Sequence, residues 1–301
     1  MLSPLAKNRR LLKDYFVASS IEEAIAYLVS HRGEAQIVGG GTYLMKHLQR
    51  ERISGLRLVD VSRISAMRRI SVDGRHMLVG GAVTLEQLLQ HPTVIDNLAI
   101  LGDAAAVNRS PQLRHLATLA GSLVTARGNS PSLVALTALE TEVEVTNLTG
   151  PQWLPLSAIW IRPGVSRVNT MSELITMIRI RLLRPGQGAA LASLACPGQH
   201  HASAPSGAVI VGLERDHSRL DWLSLNLGLP NKAPQIWHLD GLLDGQTASH
   251  ENARKAIVAG STAYLQAEHT VPADQIGDHL SSAAEAVYNR ALERALARLP
   301  G

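Results

Sequence analysis

Ala35-Gln36-Ile37-Val38-Gly39-Gly40-Gly41-Thr42-Tyr43-Leu44-Met45-Lys46 is the stretch whose reading decides the fold. A short apolar strand runs into three consecutive glycines, and a helix-like stretch from Tyr43 to Arg50 follows. Such a glycine run lets the backbone approach a ligand closely, and its amides with the helix dipole favour a phosphate; equally, it makes a tight turn and nothing more. The six-residue spacing of a dinucleotide fingerprint is missing, and no Gly-Lys-Ser or Gly-Lys-Thr follows the glycines. Neither a Rossmann domain nor a Walker-type loop is supported.

Upstream, Ile21, Ala24, Ile25 and Leu28 recur at helical spacing, with Ser20 as N-cap and Glu22 and Glu23 in the first turn, so a helix is expected over Ser20 to Ser30. Downstream, Arg57 to Val61 and Met77 to Val83 read as strands, the second leading into a helix capped by Thr84 with Gln87 at the reciprocal position. An alanine-rich apolar segment, Leu98 to Val107, precedes a second small-residue turn at Thr118-Leu119-Ala120-Gly121-Ser122, and Leu133 to Leu139 returns to helical spacing. Glu142 to Val145 and Leu174 to Ile180 alternate as strands do. Beyond a boundary near residue 180, Gly207 to Leu213 and Leu220 to Leu227 look like paired strands, and three helical stretches follow from Glu251, Ala273 and Ser282. The expected class is α+β.

The 301 residues, 46% hydrophobic, suffice for roughly two or three compact domains with a sizeable core. A formal charge of +4, scattered along the chain, and an aromatic content of 3% with one Phe argue against a nucleic-acid partner, which needs a basic face or stacking platforms. One cysteine, Cys196, cannot supply the thiolates of an iron–sulfur cluster, so any such cluster belongs to a partner. The first ten residues lack the apolar stretch and cleavage site of a signal peptide, and no window approaches the about 20 apolar residues of a membrane span; a cytoplasmic protein is expected.

Cys196 with His200 and His201 is a weak metal candidate, because adjacent histidines do not share one side of a regular element and no fourth ligand is evident; a solvated loop over Pro197 to Pro205 is the ordinary explanation. Arg114 and His115, just before the second turn, either help an anion or satisfy local carbonyls. Asp60 at a strand end is read as capping the Ser62 turn rather than contacting a ribose. No Ser-His-Asp or paired-carboxylate arrangement at a defensible spacing supports a self-contained hydrolase.

Several stretches, taken in order, resemble one family. Val38 to Lys46 is similar to its Ala-Gly-Gly-Thr-Asp-Leu signature; Asp60 to Ile64 and Val79 to Leu85 resemble the next two. Ser110 to Ser122 is similar to the segment ending Ala-Thr-Ile-Gly-Gly-Asn, and Tyr288-Asn289-Arg290-Ala291-Leu292 resembles a carboxy-terminal Tyr-Arg-Arg element. Spanning about residues 14 to 298, the chain is identified as similar to the FAD-binding subunits of the molybdenum hydroxylase family, the medium subunits of xanthine dehydrogenase and carbon monoxide dehydrogenase, with a PCMH-type FAD-binding fold.

That resemblance implies a two-subdomain FAD-binding region, 1–57 and 58–180, followed by a carboxy-terminal α+β domain, 181–301, made of an antiparallel sheet with helices. It places the FAD pyrophosphate on Gly39, Gly40, Gly41 and Thr42, flanked by Val38 and Tyr43, and on Thr118, Ala120, Gly121 and Ser122, with Ser130 in the same set. Leu174 and Ile175 match the apolar contact to the flavin region. It further implies a flavoprotein oxidoreductase subunit in a hetero-oligomer, taking electrons from an iron–sulfur subunit and passing them to NAD or another acceptor. Substrate oxidation would take place on a molybdenum-cofactor subunit, leaving no metal or cluster on this chain.

Four departures stand against the matches. Tyr43 replaces an acidic residue, Ala120-Gly121-Ser122 replaces Gly-Gly-Asn, Arg127 to Pro131 aligns with Ser-Pro-Ala-Ala-Asp, and Ala195-Cys196 falls where an aromatic–Lys pair is expected. A lost charge-assisted contact costs about 1.5–3 kcal/mol, so two or three uncompensated losses would weaken FAD by orders of magnitude. The alternative is therefore a family relative that has lost or altered FAD binding and serves as a non-redox scaffold or partner-binding subunit. A stand-alone enzyme using the same cleft for another ligand is a third reading.

Overall fold

The computed structural model describes residues 12–51, 55–107, 110–193, 204–213, 220–238, 250–267 and 273–299. In chain order these form β1 (Leu12–Val17), α1 (Ile21–Ser30), β2 (Ala35–Val38), α2 (Leu44–Glu51), β3 (Leu56–Asp60), β4 (Ile70–Asp73), β5 (His76–Gly80), α3 (Leu85–Leu89), α4 (Pro92–Asp96), α5 (Ala99–Val107), α6 (Pro111–Leu116), α7 (Leu119–Val124) and α8 (Pro131–Ala138). There follow β6 (Glu142–Asn147), β7 (Gly150–Pro155), β8 (Trp160–Arg162), β9 (Val165–Ser166), β10 (Leu174–Arg181), β11 (Gln187–Ser193), β12 (Ser206–Leu213), β13 (Leu220–Gly228), β14 (Gln235–His238), α9 (His250–Ala267) and α10 (Ala273–Leu296). The class is α+β. Contacts group these elements into two compact units, one drawn from residues 1–90, 110–126 and 140–181, the other from 91–109, 127–139 and 182–301.

The first unit holds a parallel three-stranded sheet in the order β1-β3-β2 and an antiparallel five-stranded sheet in the order β4-β5-β10-β6-β7. Parallel pairing requires a crossover between successive strands, which α1 and α2 supply. Ser20 caps α1 by accepting from the Glu23 amide, and the buried stripe Ala24, Ile25, Leu28 packs with Val59, Val61, Ile64 and Met67 into one core. In β3 every residue but Arg57 is buried because the strand lies between β1 and β2, with Tyr15 opposite Leu58 and Ile37 opposite Val59. β10 runs antiparallel between β5 and β6, which explains its long apolar alternation.

In the second unit β11-β12-β13-β14 form an antiparallel meander in sequence order. All eight residues of β12 are buried, as expected of a strand covered on both faces, with α10 packing on β11 and β12 and α8 packing on β12 and β13. Asp103 on α5 joins α5, β11 and α10: its carboxylate takes a two-pronged contact from Arg294 at 2.7 and 3.0 Å and accepts the Leu191 amide at 3.1 Å. One sequence expectation is corrected here, since the separate helices expected from Ala273 and from Ser282 are a single helix, α10. No proline intervenes, and Ala284, Val287, Tyr288, Ala291 and Ala295 bury a stripe along the later half of the helix.

Candidate functional site

Within the first unit, β2 ends at Val38 and the chain enters Gly39-Gly40-Gly41. A Cβ on Gly40 would sit 1.6 Å from the Leu116 carbonyl oxygen, and one on Gly39 would sit 3.0 Å from Thr118 Oγ1. The first turn therefore lies directly against the second, and at position 40 only glycine lets the two backbones meet. Gly41 has φ +67°, the left-handed conformation that turns the chain into α2.

The second turn is fixed from below. Thr118 is the N-cap of α7, accepting the Gly121 amide at 3.1 Å, while the Ser122 amide reaches the Thr118 carbonyl at 3.0 Å. A third loop pins it: the Leu85 amide donates to the Ala117 carbonyl at 2.8 Å, the Leu119 amide donates to the Val83 carbonyl at 3.0 Å, and Thr84 bridges Thr118. Thr84 carries a full capping box, its hydroxyl accepting the Gln87 amide while the Gln87 side chain accepts the Thr84 amide. At the other end of this loop, a Cβ on Gly81 would lie 2.1 Å from the Ile175 carbonyl oxygen, so β10 abuts the loop.

The structure thus brings Val38, Gly39, Gly40, Gly41, Thr42 and Tyr43 together with Thr118, Ala120, Gly121 and Ser122. Val38 and Thr118 are buried, Gly39 to Thr42 and Gly121 to Ser122 are half-buried, and Tyr43 is exposed. Ala120 is 9% exposed inside α7, and its φ is not positive, so its methyl group faces protein at no backbone cost. Ser122 Oγ donates to the Leu119 carbonyl at 2.6 Å. Leu174 and Ile175 belong to the same unit but are 2% and 3% exposed, and the Leu174 side chain is part of the core around α1. Ser130 lies in the second unit as the N-cap of α8, which opens on Pro131.

Charged groups near the turns have protein partners. Arg114 donates to Glu86 at 2.9 Å, and that bond holds the Glu86 carboxyl below its ordinary range. Asp60, at the end of β3, accepts from the Ser62 amide at 2.8 Å and from the Tyr15 hydroxyl at 2.7 Å, which makes it a turn and anchor residue as its position suggested. Burial first, and the bond to Asp60 next, push the Tyr15 hydroxyl up to about 12. Among the described residues no cluster of three or more His, Cys, Asp or Glu could hold a metal ion, and no helix is long and apolar enough to cross a membrane. Ala195, Cys196, His200 and His201 lie outside the described residues.

Sequence reasoning found both turns but missed the groups that hold them together: Leu116, Ala117, Gly81 and Thr84. The doublet Gly80-Gly81 after a strand and the Thr84 cap were the available signals, and both read only as local structure. Together the two turns bring glycine backbone and the Thr118 hydroxyl next to two helix starts, a surface whose chemistry suits a phosphate-bearing ligand.

The family described as the FAD binding domain in molybdopterin dehydrogenase matches residues 9–181. The 6-hydroxypseudooxynicotine dehydrogenase complex subunit alpha of Paenarthrobacter nicotinovorans is 32% identical over 177 residues, 59% of this chain and 60% of that one. The carbon monoxide dehydrogenase medium chain of Hydrogenophaga pseudoflava is 23% identical over 175 residues, 58% of this chain and 61% of that one. These matches span about six-tenths of the relatives' lengths. A solved carbon monoxide dehydrogenase from Hydrogenophaga pseudoflava, lacking the Mo-pyranopterin moiety of its cofactor, has a chain that superposes with TM-score 0.75 at 21% identity over 100% of both chains, a likeness of fold. Fold and glycine turns define a flavoprotein-type domain of the α+β class. The chain belongs to the family of FAD-binding domains of molybdopterin dehydrogenases, as the resemblance implied.

Proposed function

We propose that the chain is the FAD-binding, electron-transferring subunit of a molybdenum-containing oxidoreductase. The observation that carries this reading is the approach of Gly40 to the Leu116 carbonyl, which sets the glycine backbone of the first turn directly against the second turn, the kind of backbone surface a pyrophosphate uses. In this reading Gly39, Gly40, Gly41 and Thr42, with Val38 and Tyr43 beside them, and Thr118, Ala120, Gly121 and Ser122 hold the pyrophosphate. The Ile175 backbone, next to Gly81, lies on the flavin side with Leu174 beside it in the chain, and Ser130 is the remaining residue that the resemblance implies. FAD, when bound, supplies the redox centre; the protein's part is binding, orientation and exclusion of water.

Residues 1–57 and 58–180 are the two FAD-binding subdomains of this proposal, and 181–301 the carboxy-terminal domain. An iron–sulfur subunit delivers electrons, a molybdenum-cofactor subunit oxidises the substrate, and NAD or another acceptor removes the electrons, all in the cytoplasm. Names of the relatives, dehydrogenase subunits and medium chains, support this assignment. The reading in which flavin has been lost rests on Tyr43, Pro131 and the Ala195-Cys196 pair; the inward methyl of Ala120 removes the objection that Gly-to-Ala replacement crowds a phosphate.

The visible spectrum of the purified protein tests the proposal. Flavin absorbance in the isolated or FAD-reconstituted protein is expected. Absence of both the bands and any calorimetric binding of FAD contradicts it. Co-purification of an iron–sulfur and a molybdenum polypeptide is expected from the native source, and isolation without them contradicts the partner assignment.

A further inference from the structure

We propose that Tyr43 is the stacking platform for the adenine of the bound dinucleotide, and so a specificity-determining residue; this rests on the FAD reading above. Tyr43 follows the first turn and precedes α2, its carbonyl accepting the His47 amide at 3.1 Å. One helical turn apart, the two side chains share a face. Their rings lie 5.8 Å apart between centroids and 15° from parallel. The His47 ring thereby backs the Tyr43 ring on one side, and 42% of the Tyr43 residue is open to solvent. A flat and accessible aromatic face two residues beyond Gly41 is what a nucleobase uses, since base–aromatic stacking needs no hydrogen-bond code.

The choice of adenine over flavin follows from the order of contacts. From Ile175 they run through Gly81 to the Thr84 loop, from Thr84 to Thr118, and from Thr118 to Gly39, with Gly40 against the neighbouring Leu116 and Ala117. Tyr43 stands at the far end of this series from Ile175. With the pyrophosphate on the two turns and the flavin beside Ile175, the other half of the dinucleotide is directed to Tyr43.

Calorimetric titration of the full chain with FAD and, separately, with ADP decides the matter, using Tyr43→Ala and Tyr43→Phe. Tyr43→Ala is expected to weaken FAD and ADP alike by about tenfold or more, with thermal stability unchanged, and Tyr43→Phe to restore both, because stacking requires the ring and not the hydroxyl. Unchanged FAD affinity in Tyr43→Ala overturns the proposal, as does a loss confined to FAD, which would put the ring against the flavin. Wild-type protein that binds FAD but not ADP overturns it too. Wild-type protein that binds neither overturns the FAD reading and this inference with it.

Discussion

Gly40 lies so close beneath the Leu116 carbonyl that a β-carbon at position 40 would stand 1.6 Å from the oxygen, with Ala117 Cα only 3.1 Å away. Backbone on both sides leaves no flexible side chain to give way. Gly40→Ala is expected to lower stability by about 1–3 kcal/mol, the ordinary cost of overpacking, and to separate the two turns. Gly102→Ala, inside α5 with nothing within 4 Å of the new carbon, is the control and gains about 0.5–1 kcal/mol from helix propensity. Urea unfolding of both variants checks the contrast; equal effects would contradict the packing argument.

Thr118 acts on the same junction through its hydroxyl, which caps α7 and lies next to Gly39. Removing it in Thr118→Ala is expected to cost about 1 kcal/mol of stability, and Thr118→Ser to recover most of it. Thermal denaturation measures the first, and the serine variant separates loss of the cap from loss of the buried methyl group.

The Tyr15–Asp60 bond predicts an alkaline dependence. Tyr15 keeps its proton more tightly in the folded state, up to about 12 against an ordinary value of 10.0, so its contribution is complete below about pH 10 and is lost as pH rises toward about 12. Tyr288, buried and likewise pushed up to about 12, contributes in the same window. Stability should fall from pH 10 to 12, and Tyr15→Phe should flatten part of that fall. A fall identical in wild type and variant would contradict the assignment to Tyr15.

In the second unit, Asp103→Ala removes the acceptor for Arg294 and for the Leu191 amide at once. Because the Asp103 side chain is 11% exposed and its loss leaves Arg294 with the Ala189 carbonyl but without this carboxylate, a cost of about 3 kcal/mol is expected, visible as a lower denaturant midpoint. Asp103→Asn should fall between, since it keeps an acceptor but not the charge.

Local signals were legible where one residue decides local structure. Ser20 and the Ile21-to-Leu28 stripe gave α1, Thr84 with Gln87 gave a capping box, and Asp60 was read as serving the Ser62 turn. Strands without a burial alternation were not legible. β1 is an edge strand with all of its residues exposed or half-buried, and β11, Gln187-Gly188-Ala189-Ala190-Leu191-Ala192-Ser193, is made mostly of residues poor in β propensity. β11 forms because β12 and α10 hold it: a Cβ on Gly188 would sit 2.0 Å from the Ala291 carbonyl oxygen, an approach that small residues permit and propensity does not reveal.

The site divides in the same way. Both turns were visible as glycine and small-residue runs, but their contact depends on Gly40 and Leu116, which are far apart in the chain. The role of Thr84 and Gly81 in bracing the second turn is equally non-local. Leu174 and Ile175 read alike in the sequence but are placed differently: the Leu174 side chain joins the core around α1, and the Ile175 carbonyl abuts Gly81 of the bracing loop.

Titration of the apo full-length protein with FAD, followed by flavin absorbance and calorimetry, tests the central claim most directly. Saturable one-to-one binding in the wild type, abolished in Gly40→Ala under conditions where that variant remains folded, is the predicted result. No binding in the wild type, or equal binding in folded Gly40→Ala, would contradict the account that the joined glycine turns hold the cofactor.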